Sequence, residues 1–213
     1  MEFKIENTEV YGLNKSIIAS GNAMRVEMDD NMSEPKGSDL MRASKLASTR
    51  SGEGHDNFLN GIIVQFDLYA PLYMWKQIQR YHFMDFVSSQ STMHRLTKFD
   101  VFSQCVEDTD LVVLQRVQHL IENYNSFLEN FNPIADDPEI KALRESKWRT
   151  IVASLPCGFV LGATMTTNYR QLKTQFWQRY NHKLREWREY CAWILTLPHS
   201  ELIVGENPPK IKL

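Results

Sequence analysis

The chain has 213 residues, of which 43% are hydrophobic and 11% aromatic, enough apolar surface for a folded core. Lysine and arginine number 24 against 26 aspartate and glutamate, so the net charge is −2. This balance argues against a nucleic-acid-coating surface, and no apolar run approaches the ~20 residues of a membrane helix. We therefore expect a soluble, cytoplasmic protein, folded as a single domain over residues 1–213, with no membrane or nucleic-acid partner.

The N-terminal part of the chain combines β-prone and helical patterns. Two short β-prone segments, FKIENTEVYGL and SIIAS, lie within residues 3–28, and a polar loop is expected over residues 29–36. Leu40, Ala43 and Ala47 then repeat at helical spacing. The two glycines of the segment SGEG, residues 51–54, are predicted to end that helix.

The clearest strand pattern is IIVQFDLY, residues 62–69, in which Val64, Phe66 and Leu68 share one face. Pro71 stands where it can open a helix, and apolar residues continue at intervals of three and four as far as Phe86. A strand followed by a long helix is therefore predicted over this region.

Long helices dominate the second half of the sequence. An apolar stripe predicts a helix from about Asp110 to Asn130. A turn-rich segment, NPIADDPE, then leads into a second helix that passes through Trp148 and Val152. A final long helix is predicted from about Asn168 to Leu195. Strands followed by helices indicate an α+β (mixed α/β) fold, with a small, mainly antiparallel sheet and long helices.

Common catalytic and metal-binding signatures are absent from the sequence. Neither a GxGxxG nor a GxxxxGK[ST] loop occurs, and there is no GxSxG or HExxH motif. Cys105, Cys157 and Cys191 are far apart without a CxxC pair, so reduced thiols are expected and no metal site is predicted. No catalytic residue can be assigned from these patterns.

Two ordered stretches nevertheless form a recognisable pattern. The first runs from Gly54-His55-Asp56 through the strand and Ala70-Pro71 to Gln77 and the segment Arg80-Tyr81-His82, with Ser91 and Arg95 beyond. The second comprises Leu155-Pro156, the segment TNYRQL at residues 167–172, Arg179 and Trp187. Together they cover about half of the chain, and their spacing resembles that of the flavin-dependent thymidylate synthases.

This resemblance implies a homotetramer that binds FAD and dUMP. In such a family the flavin performs the hydride chemistry, with methylenetetrahydrofolate and NADPH as further reactants, so no enzyme nucleophile is needed. The positions that would contact the cofactor are His55, Arg80, His82, Asn168 and Arg170. The positions that would contact the nucleotide are Gln77, Ser91, Arg95 and Arg179.

Several of these residues also have a purely structural interpretation. Arg179 could form an ordinary salt bridge with Glu186 or Glu189, and Gln77 could simply be solvent-exposed. Asn168 is well suited to cap a helix, which explains its position nearly as well as a flavin contact.

The sequence also departs from the family pattern. The Arg-His-Arg signature is here Arg80-Tyr81-His82, which replaces a permanent charge by a histidine that is largely neutral at pH 7. Asn60 and Gly61 replace a Glu-His pair, and Val152 replaces an arginine.

These departures leave three hypotheses open. The leading one is FAD-dependent reductive methylation, or a related C5 modification, of dUMP. The second is a flavin-free nucleotide-binding relative with lost or changed activity, and the third is an interaction protein that keeps only the fold.

Overall fold

The computed structural model describes residues 1–27, 33–50, 52–131 and 137–213. The strands found in these residues are Lys4–Tyr11 (β1), Ile63–Pro71 (β2), Asp85–Ser89 (β3) and Val160–Asn168 (β4). The α-helices are Leu13–Ala19 (α1), Gly37–Ala47 (α2), Leu72–Ile78 (α3), Thr92–Arg95 (α4), Val101–Gln104 (α5), Leu111–Phe131 (α6), Pro138–Ala153 (α7), Tyr169–Arg179 (α8), Arg185–Ile194 (α9) and Glu201–Val204 (α10). Short 3-10 helices span Asn22–Met24, Asn57–Gly61 and Leu96–Lys98.

The strands form one antiparallel sheet in the order β1-β2-β4-β3. In the central strand β2, Val64, Phe66 and Leu68 are buried while the alternate residues are half-buried, as the sequence pattern predicts. All five residues of the edge strand β3 are exposed. The observed fold confirms the predicted class, α+β with a small antiparallel sheet.

The described chain divides into two compact units. The first comprises Met1–Lys4, Tyr69–Ile78 and Ser88–Ala163. Its apolar core joins α5, α6 and α7 to the residue before β4, and consists of Leu96, Val101, Cys105, Leu114, Val117, Ile121, Ile151 and Phe159. The predicted helix near Asp110 is confirmed as α6, and the Asp110 carboxylate accepts hydrogen bonds from the backbone N–H groups of Val112 and Val113.

The second unit comprises Ile5–Leu68, Gln79–Val87 and Thr164–Leu213. Its core is rich in aromatic side chains. The ring of Phe66 lies 4.5 Å from that of Trp193 and 6.5 Å from that of Tyr190, between centroids. Trp187 packs edge-on against Tyr190 at 5.4 Å. A single domain over residues 1–213 stays a prediction.

The β-prone interpretation of SIIAS is wrong, because these residues belong mostly to helix α1. Gly12 allows the chain to turn sharply from β1 into this helix, with φ at 72°. A Cβ at this position would lie 2.5 Å from the carbonyl oxygen of Gly61. Ile17 and Ile18 are then buried on one side of α1, although their β-branched side chains favour strands.

The helix after Pro71 is shorter than the periodicity predicts. It ends at Ile78, so Gln79 and His82 lie beyond it and Phe86 belongs to strand β3. Phe83 adopts a φ of 54°, a conformation that no α-helix contains. This turn places the segment Arg80-Tyr81-His82 between a helix and a strand.

The predicted final helix over residues 168–195 is two helices, α8 and α9. The side chain of His182 accepts a hydrogen bond from the backbone N–H of Leu184 at 3.1 Å. The Arg188 guanidinium donates to the carbonyl oxygens of His182 and Lys183 at 2.8 and 2.9 Å. These side chains satisfy backbone groups that a continuous helix would pair internally.

Some predicted features lie partly outside the described residues. The loop expected over residues 29–36 and the turn-rich segment NPIADDPE before α7 each include residues that the structure does not describe. The helix that contains Leu40, Ala43 and Ala47 is confirmed as α2 and ends at Ala47, before the glycines that were expected to end it.

Candidate functional site

Arg179 lies beside the segment that follows α3. Its Nε–H donates a hydrogen bond to the hydroxyl oxygen of Tyr81 at 2.7 Å, and this hydroxyl lies 3.0 Å from the side-chain oxygen of Gln178, to which it donates. Arg80 and His82, on either side of Tyr81, are exposed. The structure therefore brings the predicted nucleotide-binding arginine together with the altered signature.

Aromatic rings hold the guanidinium of Arg179. Its central carbon lies 4.6 Å from the ring centroid of Trp187 and 5.5 Å from that of Tyr81. Trp187 is 1% exposed, so the side of the guanidinium that faces it is shielded from water. Of the two carboxylates considered as salt-bridge partners, Glu189 accepts a hydrogen bond from Arg185 at 2.6 Å.

Positive charge accumulates around the end of α8. Burial lowers the pKa of His182, and the nearby guanidinium groups of Arg179 and Arg188 lower it further, while Glu186 acts in the opposite direction. His182 is therefore largely neutral at pH 7, and the two arginines supply the positive charge. Such a surface favours an anion over a neutral ligand.

The other end of α8 is fixed by Asn168 and Thr167. Asn168 is 7% exposed, and its side-chain oxygen accepts a hydrogen bond from the backbone N–H of Gln171 at 2.8 Å. This is the geometry of a helix cap, the structural alternative that the sequence suggested. Thr167 donates a hydrogen bond to the carbonyl oxygen of Phe83 at 2.7 Å, which ties the start of α8 to the chain just after the signature.

Arg170 pairs with the buried carboxylate of Asp56, which directly follows His55. The distance from Arg170 Nε to Asp56 Oδ1 is 3.2 Å, that of an ion pair, but the angles are not those of a hydrogen bond. The stronger contact is that of Lys173, whose ammonium lies 2.9 Å from Asp56 Oδ2. Asp56 therefore anchors α8 through two cations.

Arg170 and Arg179 do not share one pocket of the chain. They are nine positions apart in one helix, about two and a half turns, so they emerge on opposite sides, about 13 Å apart along the axis. Arg170 contacts Asp56, whereas Arg179 contacts Tyr81. Each arginine can therefore meet a different anionic group.

The remaining predicted nucleotide contacts belong to the other compact unit. Gln77 is half-buried within α3. Ser91 caps α4 by accepting a hydrogen bond from the backbone N–H of His94 at 3.3 Å. Arg95, at the end of the same short helix, is exposed. A role for these three residues in nucleotide binding stays a prediction.

Sequence reasoning missed three residues that shape this region: Tyr81, Asp56 and Lys173. Tyr81 was treated only as a departure from the family pattern. Lys173 follows Tyr169 by four positions and precedes Phe176 by three, so the helical period already placed it on the buried side. A lysine on a buried face needs an anionic partner, and this signal could have identified the pair with Asp56.

The buried cysteines are not poised as nucleophiles. Burial raises the pKa of Cys105 to about 11 and that of Cys191 to about 12. Both thiols are therefore protonated at neutral pH, and a protonated thiol is a poor nucleophile. Across the described parts of the chain, no group of three or more His, Cys, Asp and Glu side chains could hold a metal ion.

A large cavity lies away from these residues. It measures about 730 Å³ and is found in the second unit between α2 and α10, with Leu40, Lys45 and Leu202 in its lining. His199 and Glu201 are also in the lining, with His199 Nδ1 2.8 Å from a carboxylate oxygen of Glu201. None of the nine predicted site residues lines this cavity, and its mixed lining indicates no particular ligand.

The donor groups of the candidate site suit a diphosphate cofactor such as FAD. The side chains of His55, Arg80 and His82 are exposed and form no hydrogen bond or ion pair with another described residue. The Arg80 guanidinium can pair with a phosphate in the bidentate manner, and the histidines can donate hydrogen bonds. Asn168 and Arg170, by contrast, are engaged within the fold.

Comparison with known proteins identifies the fold class. The small antiparallel sheet with its surrounding helices is the fold of the flavin-dependent thymidylate synthases, as the sequence resemblance predicts. No protein-family model and no curated protein matches the chain. Among the described residues, no helix is both long and apolar enough to cross a membrane.

Two enzymes are among the proteins whose solved structures are similar to this chain. One is the flavin-dependent thymidylate synthase ThyX of Helicobacter pylori, complexed with FAD and dUMP, with a TM-score of 0.66 and 14% sequence identity. The similarity covers 97% of this chain and 98% of that one. The other is the UMP/dUMP methylase PolB of Streptomyces cacaoi with bound 5-Br dUMP, with a TM-score of 0.57, 15% identity and 94% coverage of both chains. At these identities the similarity establishes the fold.

Proposed function

We propose that the chain binds a uridine nucleotide such as dUMP, with its phosphate on Arg179, and reductively methylates it, or modifies C5 in a related way, with FAD. The main support is the contact between Arg179 and Tyr81, which places this arginine beside the altered signature. The similar structures, which were solved with dUMP or 5-Br dUMP, support a uridine ligand.

A phosphate is the group that this site suits best. Arginine pairs with phosphate through two parallel hydrogen bonds, and a second arginine, Arg80, lies next to Tyr81 in the chain. Arg188 adds positive charge near His182. Gln77, Ser91 and Arg95 are the further residues proposed to contact the nucleotide.

FAD would be held by His55, Arg80 and His82, and by Asn168 and Arg170 if they release their present contacts. Bound FAD, once reduced by NADPH, would supply the hydride for reduction, while the residues of the chain would bind and orient the nucleotide. Methylenetetrahydrofolate and NADPH are the expected further reactants. A homotetrameric assembly stays a prediction.

A second candidate, a flavin-free nucleotide-binding relative, is favoured by a specific observation. Two of the five residues expected to contact the flavin are engaged elsewhere: Asn168 caps α8, and Arg170 pairs with Asp56. If these contacts persist, the chain keeps the nucleotide site at Arg179 and loses much of the flavin site. The two candidates therefore share the nucleotide and differ in the cofactor.

The nucleotide site is tested by replacing Arg179. Arg179→Ala is expected to raise the Kd of dUMP roughly 10- to 100-fold, because a hydrogen bond to a charged group contributes about 1.5–3 kcal/mol. Isothermal titration calorimetry measures this Kd directly. Arg179→Lys keeps the charge without the two-pronged geometry and should give an intermediate value.

A control separates this effect from a general loss of positive charge. Arg116 is exposed on α6 and is not among the residues proposed to contact the nucleotide, so Arg116→Ala should leave the Kd of dUMP unchanged. Equal affinity of the Arg179→Ala variant and the unmodified protein would remove Arg179 from the site.

An absorption spectrum separates the two candidates. The purified protein is recorded from 300 to 550 nm, before and after incubation with FAD and desalting. Retained flavin bands support the FAD-dependent enzyme, and dUMP methylation is then assayed with methylenetetrahydrofolate and NADPH. A colourless protein that binds dUMP but retains no FAD excludes the first candidate and supports the second.

A further inference from the structure

The turn after the altered signature presents an exposed aromatic ring. Phe83 is 67% exposed, and its ring makes no contact with another aromatic ring among the described residues. Its neighbours in the chain differ, because His82 is exposed whereas Met84 is buried. A large apolar side chain stabilises a fold by leaving water, and this ring remains largely in water. The fold therefore gains little from a phenylalanine at this position.

The backbone of Phe83 is strained. Its φ of 54° lies in the left-handed region, where the Cβ of an ordinary residue comes too close to a carbonyl oxygen. Asn7 and His199 are the other non-glycine residues of the described chain with a positive φ. Asparagine and histidine adopt this conformation more readily than most residues, whereas a bulky residue such as phenylalanine is an outlier there. Glycine would therefore suit position 83 better than phenylalanine does.

Hydrogen bonds hold the turn on both sides of this residue. The hydroxyl of buried Thr167 donates to the carbonyl oxygen of Phe83 at 2.7 Å. Two residues before Phe83, the hydroxyl of Tyr81 lies 3.0 Å from the side-chain oxygen of Gln178, to which it donates. Backbone strain persists only where the surrounding structure enforces it, and it is concentrated at active sites and ligand-binding segments. The strain at Phe83 is therefore a sign of function.

The neighbours of Phe83 in the chain indicate which ligand its ring would meet. Arg80 and His82 are exposed, and both are proposed to hold FAD. The isoalloxazine ring of FAD is flat, and aromatic rings attract one another when they stack with an offset or meet edge to face. None of the residues proposed to contact the nucleotide adjoins Phe83 in the chain. The flavin is therefore the better match for this ring than the uracil base.

We infer that Phe83 is a further flavin-binding residue, whose ring packs against the isoalloxazine ring of FAD. This inference rests on the proposed function, since it assumes that the chain binds FAD. It adds an apolar contact to a set of polar residues that would hold the phosphates. It also gives a reason for an exposed ring on a strained backbone, which the stability of the fold does not provide.

The experiment separates the ring from the strain by two substitutions. Phe83→Ala removes the ring and keeps the strain, whereas Phe83→Gly removes both, so Phe83→Gly should have the higher melting temperature of the two. Both variants should raise the Kd of FAD about tenfold, because each loses the same aromatic contact. Phe83→Tyr keeps the ring and should retain the affinity of the unmodified protein. Flavin fluorescence measures the Kd of FAD, and isothermal titration calorimetry measures that of dUMP, which should stay unchanged.

Phe102 provides a matched control. It is 43% exposed on α5 and is not among the residues proposed to contact either ligand. Phe102→Ala removes the same exposed ring, and it should leave the affinities for FAD and dUMP unchanged. Circular dichroism establishes that each variant is folded.

The outcomes distinguish the inference from the function on which it rests. If the unmodified protein binds no FAD, the FAD-dependent function is wrong and the role of Phe83 is overturned with it, while the dUMP titration still tests the nucleotide site. If the unmodified protein binds FAD and the Phe83→Ala and Phe83→Gly variants bind it equally well, only the role of Phe83 is overturned.

Two further results would also overturn this role alone. One is a loss of FAD affinity in Phe83→Ala that Phe83→Gly does not share, because the backbone and not the ring would then matter. The other is an equal loss of affinity for FAD and dUMP, because the ring would then not be specific to the flavin.

Discussion

Lys173 uses all three of its N–H donors inside the fold. Its ammonium lies 2.7 Å from the carbonyl oxygen of Ala47, 2.9 Å from that of Thr49 and 2.9 Å from the Asp56 carboxylate. The side chains of Lys173 and Asp56 are 9% and 2% exposed. A buried charge without its partner is costly, so each of these residues depends on the other.

Removing one member of this pair should destabilise the protein strongly. Asp56→Ala is expected to lower the free energy of unfolding by about 3–5 kcal/mol, because it leaves the ammonium of Lys173 buried without a counter-ion. Urea denaturation followed by circular dichroism measures the change. The pair of exposed Arg185 and half-buried Glu189 is the control, and Glu189→Gln should cost at most ~1 kcal/mol. Similar costs for the two variants would contradict a structural role for the buried pair.

Helix α8 begins at a cap that the family resemblance assigns to the cofactor. Asn168→Ala should lower the free energy of unfolding by about 1 kcal/mol, because the first turn loses the acceptor for the Gln171 N–H. Asn168→Asp keeps that acceptor and should retain stability. Thermal melting measures the stability of both variants. Because Asn168→Asp keeps the cap, a fall in its FAD affinity would indicate a cofactor contact separate from the cap.

A second capped helix provides the comparison for this prediction. Asp137 caps α7 by accepting hydrogen bonds from the backbone N–H groups of Glu139 and Ile140 at 2.9 and 3.3 Å. Asp137→Ala should show a similar loss of stability and no change in FAD or dUMP affinity. No loss of stability in Asn168→Ala, beside a clear loss in Asp137→Ala, would contradict the structural role of Asn168.

The elements that sequence predicts well are those with an unbroken apolar period. α6 and β2 follow such periods, and both are found close to the predicted positions. The break between α8 and α9 depends on hydrogen bonds in which the His182 side chain accepts from the backbone and the Arg188 side chain donates to it. The spacing of apolar residues does not predict such bonds. The strands β3 and β4 were missed, the first because it is wholly exposed and the second because Gly162 interrupts its pattern.

Gly162 illustrates how tertiary contact overrides local propensity. Glycine weakens a strand, yet a Cβ at this position would lie 2.7 Å from the ring of Tyr69. The close approach of that ring therefore requires glycine in the middle of β4. This requirement is invisible without knowing which strand lies alongside.

At the scale of the whole molecule, the sequence resemblance predicted the fold from two groups of short motifs, and the structural comparison confirms it. The resemblance did not predict which side chains would contact the arginines of the site. Arg170 meets Asp56, and Arg179 meets Tyr81, although neither partner was among the nine predicted residues. Motif spacing identifies positions, whereas pairing depends on segments brought together by folding.

The strand order has a consequence for synthesis on the ribosome. β1 and β2 are neighbours and can pair early, whereas in the described part of the chain β3 pairs only with β4. β3 ends at Ser89 and must therefore await a strand that begins at Val160. Until then its backbone hydrogen-bonding groups, with exposed Phe86 and Val87, resemble an open sheet edge that other chains can join. The nascent chain is therefore most vulnerable to aggregation while α6 and α7 are being made.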